Sequence, residues 1–230
     1  HKDYCRLLEE PKVDVVWVLT PPSFHAEIVL ASFRHGKHVL CEKPLATSLE
    51  EMGAIRKALD RQLQTSRPLI LMPAHNFIFT PCFDRALQII RDGEIGRVEK
   101  IEGRALSNLG FYKAKTDFRT HAKGGVIEDQ IPHLIYLSED ISGPCVRVLT
   151  VKPRTGRHTA TQDVNIEAEL EGGVGAELSA AWSGFIPTLK LDLIGESGRI
   201  SLDLLRRPYN VLVAKGDEED HIRMGGKLLQ

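Results

Sequence analysis

The strongest local signal for chemistry in the 230-residue sequence is the stretch that contains Lys43. This stretch is Cys41-Glu42-Lys43-Pro44, and it lies directly after a short apolar run. If that run is a strand of a parallel sheet, Lys43 faces the crevice where such sheets bind ligands. A lysine there could donate a hydrogen bond to a substrate hydroxyl, or act as a base if burial lowers its pKa. Taken alone, the stretch favours a simpler explanation, a surface Glu-Lys pair before a helix.

Asp129 and His133 form the second candidate, in Gly124-Gly125-x-x-x-Asp129-x-x-x-His133. A spacing of four places a carboxylate and an imidazole on one face of a helix. Such a pair could move a hydroxyl proton, with the carboxylate orienting the ring or contacting the substrate. The ordinary alternative is that Asp129 is an N-cap, with Pro132 in the first turn and His133 a partly buried helix residue. No convincing set of further ligands for a metal lies nearby.

A third candidate, Thr20-Pro21-Pro22-Ser23-Phe24-His25, follows a valine-rich run. At the carboxyl end of a strand, its backbone and His25 could border a bound cofactor. The Pro-Pro pair also fits a rigid turn, and Ser23 fits a helix N-cap. His75-Asn76, after a later apolar run, could line the same crevice or only connect two domains.

The apolar pattern of the first part of the chain predicts the strands and helices that position these residues. Strands alternating with helices at this spacing predict right-handed βαβ units. The first strand is almost continuously apolar, as expected for burial on both faces of a parallel sheet. The predicted elements are a strand at 13–19, a helix at 24–34 closed by Gly36, a strand at 38–41, a helix from the capping box Thr47-x-x-Glu50 to about Arg61, and a strand at 69–72.

After Asp92-Gly93 the pattern changes to alternation. Every second residue from Val164 to Leu170 is apolar, which predicts an antiparallel strand with one buried face. Gly172-Gly173 predicts a hairpin to a strand at 174–182. The predicted fold class is α/β, with a partial Rossmann-like parallel domain in residues 1–74 and, in residues 75–230, an α+β domain with a large, mostly antiparallel sheet.

The composition argues against several kinds of partner. The 30 basic and 31 acidic residues give a net charge of -1, so nucleic acid is not an expected partner. No apolar run approaches the roughly 20 residues that span a bilayer. The four cysteines are widely spaced without a C-x-x-C pair, which disfavours a zinc site and a disulfide framework and favours a reducing cytoplasm.

The order of these pieces resembles the Gfo/Idh/MocA family of oxidoreductases, which includes glucose-fructose oxidoreductase and inositol dehydrogenase. Each piece is weak alone, but their order is specific from Val13 to about Leu204. The pieces, in order, are T-P-P-x-x-H, G-K-H-V-L-C-E-K-P-L-A, H-N-F, D-G-E-I-G, D-F-R and G-G-x-x-x-D-x-x-x-H.

The resemblance implies an NAD(P)-dependent dehydrogenase acting on a sugar, a polyol or a related cyclic alcohol. It implies catalytic roles for Lys43, His133 and Asp129, and a homo-oligomer formed through the open sheet, here the strands from Val164 to Leu204. The residues predicted to border NAD or NADP are Thr20, Pro21, His25, Glu42, Lys43 and Arg119.

The sequence also departs from the family pattern. Ile131 and Tyr136 stand where the family usually has a glycine and an aspartate, which would alter polar contacts with the substrate. No G-x-G-x-x-G precedes Val13, so we expect the chain to begin in mid-sequence and to bind nicotinamide cofactors weakly or not at all. We also expect it to stop short of the family's closing helix. The alternatives are a non-catalytic regulatory or binding protein on the same scaffold, or an oligomerisation module.

Overall fold

The computed structural model describes residues 3–109, 124–155, 161–206, 209–215 and 218–224. The chain separates into two compact units, residues 1–75 and 76–230. Each has its own hydrophobic core. None of the helices within the described ranges combines the length and the apolar character needed to cross a membrane.

The first unit is built on a three-stranded parallel sheet, as the alternating pattern predicted. The strands lie in the order β1, β2, β3, and both pairings are parallel. Helix α2 contacts β1, β2 and α3. The elements are α1 (Tyr4–Leu8), β1 (Val15–Val18), a 3₁₀ helix (Pro22–Phe24), α2 (His25–Arg34), β2 (His38–Cys41), α3 (Leu49–Leu63) and β3 (Leu71–Pro73).

Strand β1 is buried on one face only, so the prediction of burial on both faces was wrong for the described residues. Val16 and Val18 lie in the core with the apolar side of α2. Val15 and Trp17, which point to the opposite face, are each 59% exposed. A continuous apolar run in the sequence is therefore compatible with a strand that is buried on one face as well as with a strand that is buried on both.

Helix α3 begins one residue later than its predicted capping box. Ser48 is the N-cap, and its Oγ accepts a hydrogen bond from the Glu51 N–H at 3.1 Å. The Glu51 carboxylate accepts from the backbone N–H of Thr47 at 2.7 Å and from its hydroxyl at 2.9 Å. These bonds lower the pKa of Glu51, because they favour the ionised carboxylate.

The second unit contains, within the described residues, an eight-stranded sheet in the order β11-β10-β9-β8-β4-β7-β6-β5. Only the pairing of β4 with β7 is parallel, which confirms the prediction of a mostly antiparallel sheet. Its elements are a 3₁₀ helix (Asn76–Phe79), α4 (Pro81–Arg91), β4 (Val98–Asn108), α5 (Val126–Asp129), α6 (Ile131–Ser142), β5 (Cys145–Thr155), β6 (Thr161–Leu170), a 3₁₀ helix (Glu171–Gly173), β7 (Gly175–Ala181), β8 (Ser183–Gly195), β9 (Arg199–Asp203), β10 (Tyr209–Lys215) and β11 (Glu218–Met224).

The helices of the second unit pack on one face of this sheet. Helix α4 contacts β9 and β10, and α6 contacts β4 and β7. Along β4, buried Ile101 and Ala105 alternate with partly or fully exposed charged residues such as Lys100 and Arg104. The predicted hairpin is confirmed, because Gly172 and Gly173, both with positive φ, lie between the antiparallel strands β6 and β7.

Candidate functional site

His25 connects the loops that follow β1 and β2 in the first unit. Its ring is buried, with Nδ1 2.7 Å from the carbonyl oxygen of Pro44 and Nε2 2.8 Å from that of Thr20. Carbonyl oxygens only accept, so both contacts are hydrogen bonds when both ring nitrogens carry a proton. His25 therefore holds together the two loops that leave the carboxyl ends of these strands.

These loops carry the other residues predicted to border a cofactor. Thr20 and Pro21 follow β1, and Glu42 and Lys43 follow β2, where Lys43 is half-buried and precedes a cis peptide bond. All four lie at the carboxyl edge of the parallel sheet, which is where open α/β sheets bind ligands. Their contact with a cofactor stays a prediction. Arg119 lies outside the described residues.

Asp129 and His133 lie on two successive helices and not on one, which corrects the prediction of a single helix face. Helix α5 ends at Asp129 and α6 begins at Ile131. Pro132 lies in the first turn of α6, as the ordinary alternative predicted, but the N-cap is Gln130.

The Asp129 carboxylate is held by two side-chain donors. Its Oδ2 accepts a hydrogen bond from Trp182 Nε1 at 3.2 Å and from Gln130 Nε2 at 2.8 Å. Trp182 is buried and directly follows β7, so pairing of β7 with the rest of the sheet sets the position of this donor. The carboxylate is thus fixed at the end of a short helix, oriented to act as an acceptor.

The backbone conformation and the close packing at Gly125 explain why the motif has a glycine at this position. It is the N-cap of α5 and has a φ of 52°, a conformation that favours glycine. A Cβ at this position would lie 2.2 Å from the carbonyl oxygen of Thr161 in β6. The close approach of this turn to β6 sets where α5, and with it Asp129, begins.

The His133 ring is fixed by two aromatic residues. Its Nδ1 lies 3.0 Å from the hydroxyl oxygen of Tyr136. The same oxygen accepts a hydrogen bond from the backbone N–H of Phe77 at 3.4 Å. Both aromatic rings meet the imidazole edge to face, with centroid distances of 5.1 Å for Phe77 and 5.6 Å for Tyr136.

Sequence reasoning did not assign a role to the residues that orient this pair. Tyr136 was noted as a departure from the family pattern, and its spacing of three from His133 on a helix could have indicated the contact. Trp182 carries no local signal, since the fold brings it to the site from another element. Phe77 is the last residue of the H-N-F piece, to which no role in orienting His133 was assigned. The second departure, Ile131, is a core residue. Within the ranges that the structure describes, no three His, Cys, Asp or Glu side chains come together to hold a metal ion.

Comparison with known sequences identifies the family. Residues 1–66 match the sequence model described as the oxidoreductase family with an NAD-binding Rossmann fold, GFO_IDH_MocA. Residues 83–201 match the GFO/IDH/MocA C-terminal domain. The chain belongs to the Gfo/Idh/MocA family, which confirms the resemblance found in the sequence.

Several characterised proteins are similar to the chain over part of their length. Levoglucosan dehydrogenase from Pseudarthrobacter phenanthrenivorans is 35% identical over 106 residues, which are 46% of this chain and 26% of that protein. The scyllo-inositol 2-dehydrogenase (NAD(+)) of Bacillus subtilis is 26% identical over 230 residues, or 96% and 64% of the two chains. The chain therefore covers less than two thirds of either relative.

A solved structure of levoglucosan dehydrogenase in complex with NADH and levoglucosan has the same fold. It matches with a TM-score of 0.86 at 23% identity, covering 98% of this chain and 64% of that chain. This similarity confirms the predicted fold class, a Rossmann-like domain followed by a large mixed sheet.

The described residues fit one part of a nicotinamide cofactor. The first unit matches an NAD-binding fold, and its three strands end at one edge with two loops fixed there by His25. Between residues 3 and 75, the loops after these strands contain no glycine-rich turn. Thr20, Pro21, Glu42 and Lys43 lie at this edge, and their contact with the cofactor, chiefly on its nicotinamide side, stays a prediction.

Proposed function

We propose that the protein containing this chain is an NAD(P)-dependent dehydrogenase that acts on a sugar, a polyol or a related cyclic alcohol. Family membership supports the reaction class, and the names of both relatives refer to cyclic alcohols. The observation that carries the proposal is the pair Asp129 and His133, each held by a hydrogen bond to a side chain from the core of the second unit.

The proposed chemistry separates hydride transfer from proton transfer. The cofactor, when bound, supplies the redox chemistry by accepting a hydride from the alcohol carbon. Lys43 in the first unit and His133 in the second are the proposed proton-handling groups. Asp129, fixed by Trp182 and Gln130, accepts a hydrogen bond from a neighbouring substrate hydroxyl and so orients the ring of the substrate.

Turnover with a panel of cyclic alcohols tests this function. For the protein that contains this chain, we expect reduction of NAD or NADP with at least one of myo-inositol, scyllo-inositol, levoglucosan or glucose, measured by the absorbance of the reduced nicotinamide. The variant His133→Ala should lower kcat by about 10² to 10⁴, because a positioned proton-handling group is removed. The matched control is His35→Ala, which removes an exposed histidine from the C-terminal end of α2.

Two results would contradict the proposal. One is cofactor binding in calorimetry without turnover of any member of the panel, which supports the non-catalytic alternative. The other is an equal loss of activity in the His133 and His35 variants, since the effect would then be unspecific.

A further inference from the structure

Helices α2 and α3 of the first unit border an open groove with a volume of about 640 Å³. Its floor is apolar, because Leu30, Phe33 and Ala58 line it and belong to, or pack against, the core of this unit. The groove follows α3 from Glu50 to Gln62, a length of about 18 Å at the helical rise of 1.5 Å per residue. This length, just over three helical turns, matches the contact that a helix of another protein makes in a groove.

The wall that α3 contributes to the groove carries a glycine without a reason inside the chain. Gly53 is an interior residue of α3, where glycine destabilises a helix relative to alanine. Its φ is not positive, and a Cβ added to it would meet nothing within 4 Å in the described part of the chain. A backbone that approaches α3 closely from outside explains a residue without a side chain at this position.

Three basic side chains border the same groove. They are Arg34 on α2 and Lys57 and Arg61, one turn apart, on α3. All three are exposed, and within the described ranges none of them forms an ion pair. Arg56, which does not line the groove, is by contrast paired with Asp60 at 3.1 Å. The groove thus presents unpaired positive charge beside an apolar floor.

The positive charge lies at one end of the groove. Helices α2 and α3 each connect two parallel strands, so both run from the carboxyl edge of the sheet to its amino edge. Arg34 is the last residue of α2, Lys57 and Arg61 lie in the second half of α3, and Glu50 lies in its first turn. The basic end is therefore remote from the carboxyl edge, where the cofactor contact is predicted.

We propose that this groove binds an amphipathic helix of a partner protein, with an apolar stripe against the floor and acidic residues at the end that meets Arg34, Lys57 and Arg61. Apolar grooves take such helices through residues at i, i+3, i+4 and i+7. Charge complementarity fixes the sign, because the groove is lined by these three basic side chains and one acidic side chain, Glu50. The apolar floor distinguishes this partner from a free anion, which needs only the charges. Partner binding at this groove is independent of the proposed dehydrogenase function.

Fluorescence anisotropy with two synthetic peptides tests the proposal. The first is a labelled amphipathic helix of about 16 residues, long enough to fill the groove, with leucines at i, i+3, i+4 and i+7 and glutamates beside them at one end. The second has lysine in place of each glutamate. At low salt we expect a Kd below about 100 μM for the acidic peptide and binding at least about tenfold weaker for the basic one. No saturable binding of the acidic peptide, or equal binding of both peptides, overturns the proposal.

Charge reversal at the basic end tests where the peptide binds. The double variant Lys57→Glu, Arg61→Glu should weaken binding of the acidic peptide by about tenfold or more, because it opposes like charges. Arg56→Glu is the matched control, since it reverses a charge of the same helix outside the groove, and its Kd should stay within about twofold of wild type. Equal weakening in the two proteins contradicts the proposal, because binding would then follow the net charge alone.

Gly53→Leu fills the groove where the partner approaches most closely. Leucine is favoured over glycine in a helix and has room at this position, so the melting temperature should stay unchanged or rise. Binding of the acidic peptide should nevertheless fall by about tenfold or more, because leucine occupies the space of the partner backbone. Binding that persists in Gly53→Leu overturns the proposal. A lower particle mass of this variant in light scattering also overturns it, because the occupant would then be a second copy of the chain.

Discussion

Both ring nitrogens of His25 contact backbone carbonyl oxygens, those of residues 5 and 19 positions away in sequence. The two loops carry Thr20, Pro21, Glu42 and Lys43, and the cofactor contact that the His25 motif implies stays a prediction. A buried side chain whose ring nitrogens lie against one carbonyl oxygen of each loop stabilises the conformation of both loops. At the scale of single residues, we therefore expect His25 to act through position.

The substitution His25→Leu should destabilise the first unit. It removes the ring nitrogens from the carbonyl oxygens of Thr20 and Pro44, and each hydrogen bond lost costs about 0.5–1.5 kcal/mol. Urea unfolding measures the loss. His35→Leu is the control, because His35 is exposed and bonds only one carbonyl, that of Ala31; it should change stability by no more than about 0.5 kcal/mol. Equal effects of the two substitutions would contradict a special role of His25.

Helix α3 shows how local hydrogen bonds set the start of an element. Both Thr47 and Ser48 precede a glutamate three residues later, so two capping boxes were available in the sequence. The structure uses Ser48 as the N-cap and directs Glu51 back to Thr47. Glu51 thereby satisfies both the backbone N–H and the hydroxyl of Thr47, which Glu50 does not do in this structure.

The cap predicts a dependence of stability on pH. The pKa of Glu51 is lowered in the folded chain, so its contribution is present above the ordinary pKa of 4.5 and is lost as the pH falls through the lowered value. Because Glu51 is only partly buried at the helix surface, we expect only about 0.5 kcal/mol or less. Glu51→Gln should show a smaller acid-induced decrease in melting temperature than wild type.

The control for this experiment is Glu50→Gln, which removes the same charge from the neighbouring position, where the structure shows no bond to Thr47. If both variants lose the acid-induced decrease equally, the effect comes from the charge of the first turn and not from the cap. Ser48→Ala, measured at neutral pH, should lower the free energy of unfolding by about 1 kcal/mol.

At the scale of the whole molecule, the eight-stranded sheet has one face away from its helices. Along β4 this face carries Lys100, Glu102 and Arg104. Lys100 Nζ lies 2.8 Å from both Glu102 and Glu177, and these partners raise its pKa. Paired charges on a broad strand surface fit a polar interface between copies of the chain as well as a solvated face.

We predict that the strands from Val164 to Leu204 form an oligomer interface through this face. The variant Arg104→Glu should then dissociate the assembly, because it places a like charge near Glu102 and Glu177 at each interface. Light scattering measures the mass of the particle. Arg56→Glu, on the exposed side of α3, is the matched charge reversal and should leave the mass unchanged. A monomeric wild-type chain at high concentration contradicts the interface.

The sequence by itself determined the order of the elements, the change from parallel to antiparallel sheet and the family. These features depend on short-range periodicity and on motifs whose order is specific, and both can be found without knowing which elements touch. The positions of Lys43 after β2 and of Pro132 in the first turn of α6 follow from the same local signals.

Only the tertiary structure decided which groups hold the site together. Trp182 bonds to Asp129 across 53 residues, and Phe77 to Tyr136 across 59. Such contacts require that separate elements pack with a particular register, which no local pattern specifies. The exposure of Val15 and Trp17 has the same origin, since an apolar strand is buried only where another element covers it. Local periodicity fixes how each element forms, whereas long-range packing fixes what each side chain meets.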